Sequence, residues 1–589
     1  MLRTIVARLK SPPSAPSAMR PSLISLLLAG FTVCCVKAQD VSKKDPLELG
    51  IFGIGSCHTN NRNAGDNQRW MPQMVEAGLR YHRTAHTGWN ALETQPGQWN
   101  WQELDAQMDY LDAQHMVYGG ILIGSPEWNK ADPPGSLPVN SIKGWSHYVT
   151  ETVRHCKTRI RRWEVWNEPP NFSGKNQTPA DYAKLVAAAY DAAKAVDPGC
   201  AIGLAAKSAH LNYLEQVIKA GAKDHFDYIT LHPYEILGTV ADNAGTGPVF
   251  MNIAPSVRKM LAAQNPAKAG VPIIFTELGH DISKGTAIQA QALVKAYTMG
   301  AAQGVACIQW FEGRDGDSGP MGLLDGKGQP RHAYTAIKEL IAYLGQHPAY
   351  LGWVTLGGTH RGFLFEGTAG PVLVAWTQNT GTCEIKPDPE AQAIDPLTGK
   401  KSSAAVFTLT SSPVLFTGIS RTMVAEAKSN RNKPMNWWGA DYSTATAVSL
   451  TTGENQKLDG LRTLSGDSVA KSVIAYGGSA RAGGVPGGNV FVVDPAFLSY
   501  TSEPIEITVV CRRNEANNNA GFKLVYESPT GFKTAGHWFT IPDNKDWHTA
   551  RFRLEDPQFV NYWGYNFALE SDGNTFNRYY LKSVEVRKV

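Results

Sequence analysis

Trp163-Glu164-Val165-Trp166-Asn167-Glu168-Pro169-Pro170 begins as a strand and ends in a turn. Arg162 to Trp166 is short and rich in aromatic and β-branched residues, and the paired prolines behind it cannot continue a sheet. An Asn and a Glu therefore stand at the carboxyl end of a strand. What that position means depends on the strands around it. Similar short apolar runs occur at Leu49 to Ile54, Leu79 to Thr84, Val117 to Ile123, Ala201 to Leu204, Tyr228 to His232, Ile273 to Glu277 and Ala306 to Phe311. The intervening segments carry helical periodicity, as in Tyr182, Leu185, Val186, Ala189 and Tyr190, or Ala287, Ala290, Leu293, Val294 and Tyr297. Eight such units predict an α/β protein built on a (β/α)8 TIM barrel. A dinucleotide-binding sheet is disfavoured, because no Gly-x-Gly-x-x-Gly follows the first strand.

In a barrel of this kind the strand carboxyl ends line the active-site face, so Glu168 at the end of the fourth strand points toward bound substrate. A second carboxylate, Glu277, ends the seventh strand in Ile273-Ile274-Phe275-Thr276-Glu277-Leu278-Gly279. Strands four and seven lie across the barrel mouth from one another, and two carboxylates flanking one bond are what glycoside hydrolysis requires. Glu164, on the same strand as Glu168, reads as an interior group, and Trp166 reads as packing. No His-Glu-x-x-His, Gly-x-Ser-x-Gly or phosphate-binding Gly-Lys-Ser/Thr loop is present, which removes metalloprotease, esterase and nucleotide readings.

Asn-Glu-Pro at strand four with a Glu at strand seven resembles glycoside hydrolase clan A, and over roughly residues 45 to 420 the chain is most similar to family 39. Gly322-Leu323-Leu324-Asp325 resembles the end of such a barrel. The resemblance implies a retaining hydrolase acting on β-glycosidic bonds of oligo- or polysaccharides, with Glu168 as acid/base and Glu277 as nucleophile. It also implies that Asn167 bonds the sugar 2-hydroxyl, that Arg83 and Tyr234 hold Glu277, and that His232 and Trp310 line the sugar site. Trp310 could stack under the ring, and Trp128 in Ser125-Pro126-Glu127-Trp128 could wall a subsite. The acid should have a raised pKa, since it must keep its proton until the leaving oxygen takes it. Exo-action, endo-action and a non-catalytic sugar-binding barrel are the competing forms of this reading. No metal or cofactor is needed for such chemistry. Glu312, Asp315 and Asp317 crowd the loop after strand eight, where a solvated loop, sugar contacts or a structural cation are the alternatives.

Beyond the barrel, Arg361 to Glu366, Val372 to Thr377, Ala405 to Thr410 and Val414 to Phe416 read as strands of a small β domain. A third region opens at about Met423 with a polar loop and the Gly-rich stretch Gly477 to Gly488, then gives Ile505 to Cys511, Phe522 to Tyr526, His548 to Leu554 and Tyr580 to Val586. This pattern suggests a jelly-roll β-sandwich. The expected organisation is a signal peptide at 1–38, the catalytic barrel at 39–345, an accessory β domain at 346–422 and a carbohydrate-binding-like sandwich at 423–589. Trp437, Trp438, Trp538, Trp563 and Tyr565 could form a sugar platform there, although aromatics on a sandwich are more often core.

The 589 residues are 43% hydrophobic and 18% charged, a composition of folded globular chains. Arg3, Arg8, Lys10, Arg20 and Lys37 precede the first acidic residue, Asp40, and flank the apolar run Leu23 to Val36, with Val36-Lys37-Ala38 suited to cleavage. The run is shorter than the ~20 residues of a membrane span, so export to the periplasm or exterior is expected without a membrane anchor. Without those five cations the 56 Lys and Arg become 51 against 52 Asp and Glu, a balance that gives no electrostatic reason to bind nucleic acid. Cys57, Cys156, Cys200, Cys307, Cys383 and Cys511 are widely spread, and neither a disulfide framework nor metal spacing is expected.

Overall fold

Strands buried on both faces have no polar side to alternate with, so they read as continuous apolar runs. In the computed structural model each of the eight runs is such a strand: β1 Phe52–Ile54, β2 Tyr81–Arg83, β3 Val117–Leu122, β4 Arg162–Val165, β5 Ala201–Lys207, β6 Tyr228–His232, β7 Ile273–Leu278 and β8 Cys307–Trp310. The structure describes residues 45–589 except 57–63, 85–86, 172–176, 243, 317, 380, 387–388, 404, 454–455, 465–472, 476–477, 483–488, 514–519, 545 and 572–578. The expected leader, Cys57, Asp317 and much of Gly477 to Gly488 lie outside the described residues. All eight strands are parallel to their neighbours, and β1 pairs with β8 to close the barrel.

Strand alternation fills the barrel in layers. Tyr81, Ala201, Tyr228, Ile274 and Cys307 pack together at one level. Glycine opposite them makes the room: a Cβ on Gly203 would lie 2.5 Å from the Tyr228 ring, and one on Gly53 would lie 2.9 Å from Cys307 Sγ. Two residues further along their strands, Tyr81, Tyr228 and Ile274 are succeeded by Arg83, Thr230 and Thr276, and Glu164 joins them from β4. All four are buried. A polar layer thus lies directly beneath the mouth.

The helices outside the strands bury the residues their periodicity picked out. Helix Pro179–Val196 hides Tyr182, Leu185, Val186 and Ala189, and Thr178 starts it with a reciprocal cap: Asp181 N–H donates to Thr178, whose own N–H donates to Asp181. Helix Thr286–Ala302 buries Ala290, Leu293, Val294 and Tyr297.

After the last barrel helix, His332–Leu344, comes a six-stranded antiparallel sheet in the order Ala349–Gly357, His360–Gly367, Gly370–Ala375, Val414–Thr417, Gln392–Ile394 and Lys401–Ser402. Phe363, Phe365, Val372 and Val374 belong to the same core as the barrel, while Leu364, Leu373 and Ala375 face a separate small core. That second face is covered by helix Arg421–Asn430, where the sequence suggested a polar loop. The helix is polar because only Ala427 is fully buried on it, and the approach is close: a Cβ on Gly352 would lie 1.8 Å from the Ala427 carbonyl oxygen.

The remaining chain forms two β-sheets of seven and five strands. Alternating burial along Ile505–Arg513 shows one side of that strand facing the core. The sheets dock on barrel helices. Asn212 Nδ2 donates to the Ser528 carbonyl, Gln216 Nε2 to the Pro529 carbonyl at 2.8 Å, and Asn252 Nδ2 to Ser499 Oγ at 2.8 Å. Cys156, Cys200, Cys307, Cys383 and Cys511 are free thiols.

Candidate active site

β4 stops at Val165, and the backbone turns left-handed at Trp166 (φ 67°) and Glu168 (φ 48°). Non-glycine residues seldom adopt such angles, and the strain is held where surrounding structure imposes it, commonly at functional sites. Here Trp166 supplies the hold: its ring is buried beside Trp145, with centroids 6.3 Å apart, and its N–H donates to the Leu122 carbonyl at 2.8 Å.

Arg83, from β2, reaches three acceptors. Nε donates to Glu164 at 2.8 Å, Nη2 donates to Asn167 Oδ1 at 2.8 Å, and Nη1 donates to Glu277. Tyr234 adds its hydroxyl to the other oxygen of Glu277 at 3.2 Å. Glu164 is the hub below: besides Arg83 it accepts from Thr230 Oγ1 at 2.7 Å and Thr276 Oγ1 at 3.0 Å. His232 bridges the layers, with Nε2 at 3.0 Å from Thr276 Oγ1 and Nδ1 at 2.9 Å from Glu168. Glu168, Glu277, Asn167, Arg83, His232 and Tyr234 are therefore brought together at one mouth.

One oxygen of Glu168, one of Glu277 and a ring nitrogen of His232 all lie within 4.8 Å of one another. The spacing also suits a divalent cation. Against that use, the guanidinium already balances Glu277 and would repel an ion, while His232 Nδ1 and Nε2 are both engaged.

Glu168 does not show the raised pKa expected of it. Burial does raise it, but the hydrogen bond and charge of His232, followed by the charges of Lys207 and Arg83, bring it below the ordinary carboxylate value. His232 moves the other way. Burial lowers it, and this is outweighed by the charge of Glu277 and the bond to Glu168, so it holds its proton above the ordinary imidazole value. The two groups titrate as a pair.

Trp310 does not take the place beside the sugar that the resemblance implies. Its side chain is 0% exposed, and its ring lies against Tyr297 of the outer helix, 6.5 Å between centroids, so it packs toward the helix layer and not the sugar site. Strand alternation gives the mouth to the next residue, Phe311, which is half-buried next to Gly55 and Gly279. Trp128 is half-buried; it donates Nε1 to the Glu93 carbonyl at 2.9 Å and meets Trp89 edge-on. In the loop after β8, Glu312 is fully buried and accepts from Gly316 N–H, and Asp315 takes both Nη atoms of Arg331 at 2.6 Å. These acidic groups brace the loop.

The five C-terminal aromatics do not form one surface. Trp437 and Trp438 are buried, Trp437 against Phe363 of the accessory sheet and Trp438 donating to the Gly245 carbonyl of the barrel at 2.7 Å. Trp538 and Tyr565 are half-buried, and Trp563 is exposed.

No family model matches the sequence, and no curated protein is found as a relative. Among solved structures, the chain is similar to a family 39 glycoside hydrolase from the gut symbiont Bacteroides cellulosilyticus WH2, at 19% identity over 64% of this chain and 81% of that one, with a TM-score of 0.51. It also matches xylanase 10B from Thermotoga maritima at 16% identity over 52% of this chain and 98% of that one, with a TM-score of 0.37. The first likeness is one of fold.

Proposed function

We propose that this chain is a retaining glycoside hydrolase that cleaves β-glycosidic bonds of oligo- or polysaccharides, with Glu277 as nucleophile and Glu168 as acid/base. The carboxylate pair carries the reading. Oxygens of the two groups within 4.8 Å of each other suit the ~5–5.5 Å of a retaining pair and fall short of the ~6.5–9.5 Å that leaves room for an attacking water.

The hydrogen bonds around His232 support keeping the acid's proton on the imidazole. Thr276 has one hydroxyl proton and directs it to Glu164, so toward His232 Nε2 it acts as acceptor. His232 therefore carries a proton on Nε2, and its Nδ1 shares one further proton with Glu168. Before reaction that proton rests on the imidazole, which the negative charge of Glu277 favours. When Glu277 attacks the anomeric carbon, its charge is consumed in the new bond. The imidazole then loses that support, and the proton passes through Glu168 to the departing oxygen. In the second half, Glu168 takes a proton from water, which displaces Glu277 and restores the starting configuration.

Arg83 and Tyr234 fix the direction of the Glu277 carboxylate, and Arg83 also occupies Asn167 Oδ1, leaving the Nδ2 donors to point at a sugar hydroxyl. The leader-like N-terminus supports action outside the cytoplasm. Rapid loss of polymer viscosity would mark endo-action, and monosaccharide release from chain ends would mark exo-action. NMR of the earliest product tests the mechanism: the anomer is retained, and an activated 2-fluoro glycoside labels Glu277. An inverted first product, or labelling of Glu164, would overturn it.

A further inference from the structure

Among the described residues, the turn at 561–565 brings the sandwich to the barrel mouth. Ser208, just past the end of β5, donates its hydroxyl to the Tyr562 carbonyl, and the Tyr562 ring stacks on His210 at 4.1 Å. Gly564, with φ 82°, lies so near helix Tyr234–Ala241 that a Cβ there would be 3.1 Å from the Glu235 carbonyl oxygen. That helix begins with Tyr234, which bonds Glu277. Behind the turn, buried Glu527 accepts the backbone N–H groups of Val560 (2.8 Å), Asn561 (2.9 Å) and Tyr562 (3.0 Å). Three backbone donors on one carboxylate fix the turn's shape. Tyr562 and Tyr565 both pack on Phe532, and Trp563 between them is 36% exposed.

Trp563 is not aimed at random. Lys207, the last residue of β5, holds its ammonium 4.7 Å from the centre of the Trp563 ring, and its own N–H donates to the Pro169 carbonyl at 3.0 Å. Pro169 follows Glu168, and Lys207 contributes to the field at Glu168. Trp563 therefore stands on the acid's side of the mouth. In the reaction proposed above, the group on that side is the one whose oxygen receives the proton.

We infer that Trp563, with Lys207, forms a subsite for a sugar residue of the leaving group, so that the sandwich domain supplies part of the catalytic cleft and selects saccharide over small leaving groups. An exposed indole offers a flat apolar face to one face of a pyranose, and the ammonium beside it can donate to ring hydroxyls. Glu527 is the positioning residue for this subsite. The inference rests on the glycosidase reading.

The test compares an oligosaccharide with a glycosyl fluoride of the same glycone, because fluoride leaves no sugar to stack. In the full chain, Trp563→Ala lowers kcat/KM for the oligosaccharide about tenfold more than for the fluoride, and Trp563→Phe keeps most of the difference. Glu527→Gln, which cannot accept all three N–H groups, shows the same split to a smaller degree. Equal losses on both substrates, or none on either, would overturn the subsite while leaving the hydrolase reading intact. A wild-type chain inactive on both would overturn the hydrolase reading and the subsite with it.

Discussion

Thr276→Val removes one hydroxyl and keeps the branched shape of the side chain. That hydroxyl serves two buried groups, accepting from His232 Nε2 at 3.0 Å and donating to Glu164 at 3.0 Å. Glu164 retains Thr230 and Arg83, but among the described residues Nε2 has no other partner at hydrogen-bond distance, the nearest further acceptor being Glu164 at 3.9 Å. A buried donor left unsatisfied costs about 1–3 kcal/mol. The ring avoids part of that cost by shedding the Nε2 proton and staying neutral with its proton on Nδ1, which it can share with Glu168 as a hydrogen bond but cannot give up. Glu168 then lacks the acid form, and the same 1–3 kcal/mol appears in the barrier, about 5- to 150-fold in rate. The expected result is a loss of that size in kcat/KM for an unactivated disaccharide. A dinitrophenyl glycoside, whose leaving group needs no proton, should be nearly spared. Urea denaturation should show a stability loss of about 1–3 kcal/mol. An equal fall on both substrates, or full activity on the disaccharide, would refute the tautomer argument.

Stability against pH should show a plateau set by the coupled pair. The raised pKa of His232 gives stability fully present below about 6.5 and lost as pH rises through the folded value; Glu168, lowered, gives stability present above about 4.5 and lost as pH falls through its folded value. Thermal melts of His232→Gln should lose the alkaline slope, and a wild-type slope there would refute the assignment. Trp310→Ala should cost about 3–5 kcal/mol in denaturant unfolding, because its whole ring is buried; a variant of unchanged stability but weakened substrate binding would return Trp310 to the sugar site. Truncation after residue 345 should give insoluble protein, since it strips Phe363 and Phe365 from the core they share with the barrel; a soluble, active fragment would refute that.

What the sequence disclosed follows from how local each signal is. The eight barrel strands are legible because burial on both faces leaves short, mostly apolar runs between helical stretches, and Glu168 and Glu277 are legible because each stands at or just past the end of such a run. Trp310 ends its strand and so reads as a mouth residue, yet it faces the helices; the face alternates at every residue, so Phe311 is the one turned the other way. Thr230 and Thr276 stand outside the motifs that mark the site in the sequence. Their signal was available: each is a small polar residue two positions from an apolar inward residue, Tyr228 and Ile274. Helix Arg421–Asn430 was hidden by its polarity, for it covers a sheet with a single alanine fully buried. The lowered pKa of Glu168 depends on His232, 64 residues away. The meeting of Ser208 with Tyr562 spans 354 residues and leaves no mark in either local sequence.

Glu164 collects bonds from β2, β6 and β7 while standing on β4. A closed barrel can in principle shut with its strands slid along one another, and apolar residues tolerate such slips because one aliphatic side chain substitutes for another. A charged hub does not. Sliding any one of those strands by two residues, about 6.6 Å, keeps the inward face but withdraws a donor from a buried carboxylate. Sliding β2 strips Glu164 of its counter-charge, at a penalty of several kcal/mol, and sliding β6 or β7 leaves the buried carboxylate one hydrogen bond short, at about 1–3 kcal/mol. The polar layer beneath the mouth therefore acts as a checksum on strand register during folding, so that a barrel able to close stably is also one whose reacting groups are already in place.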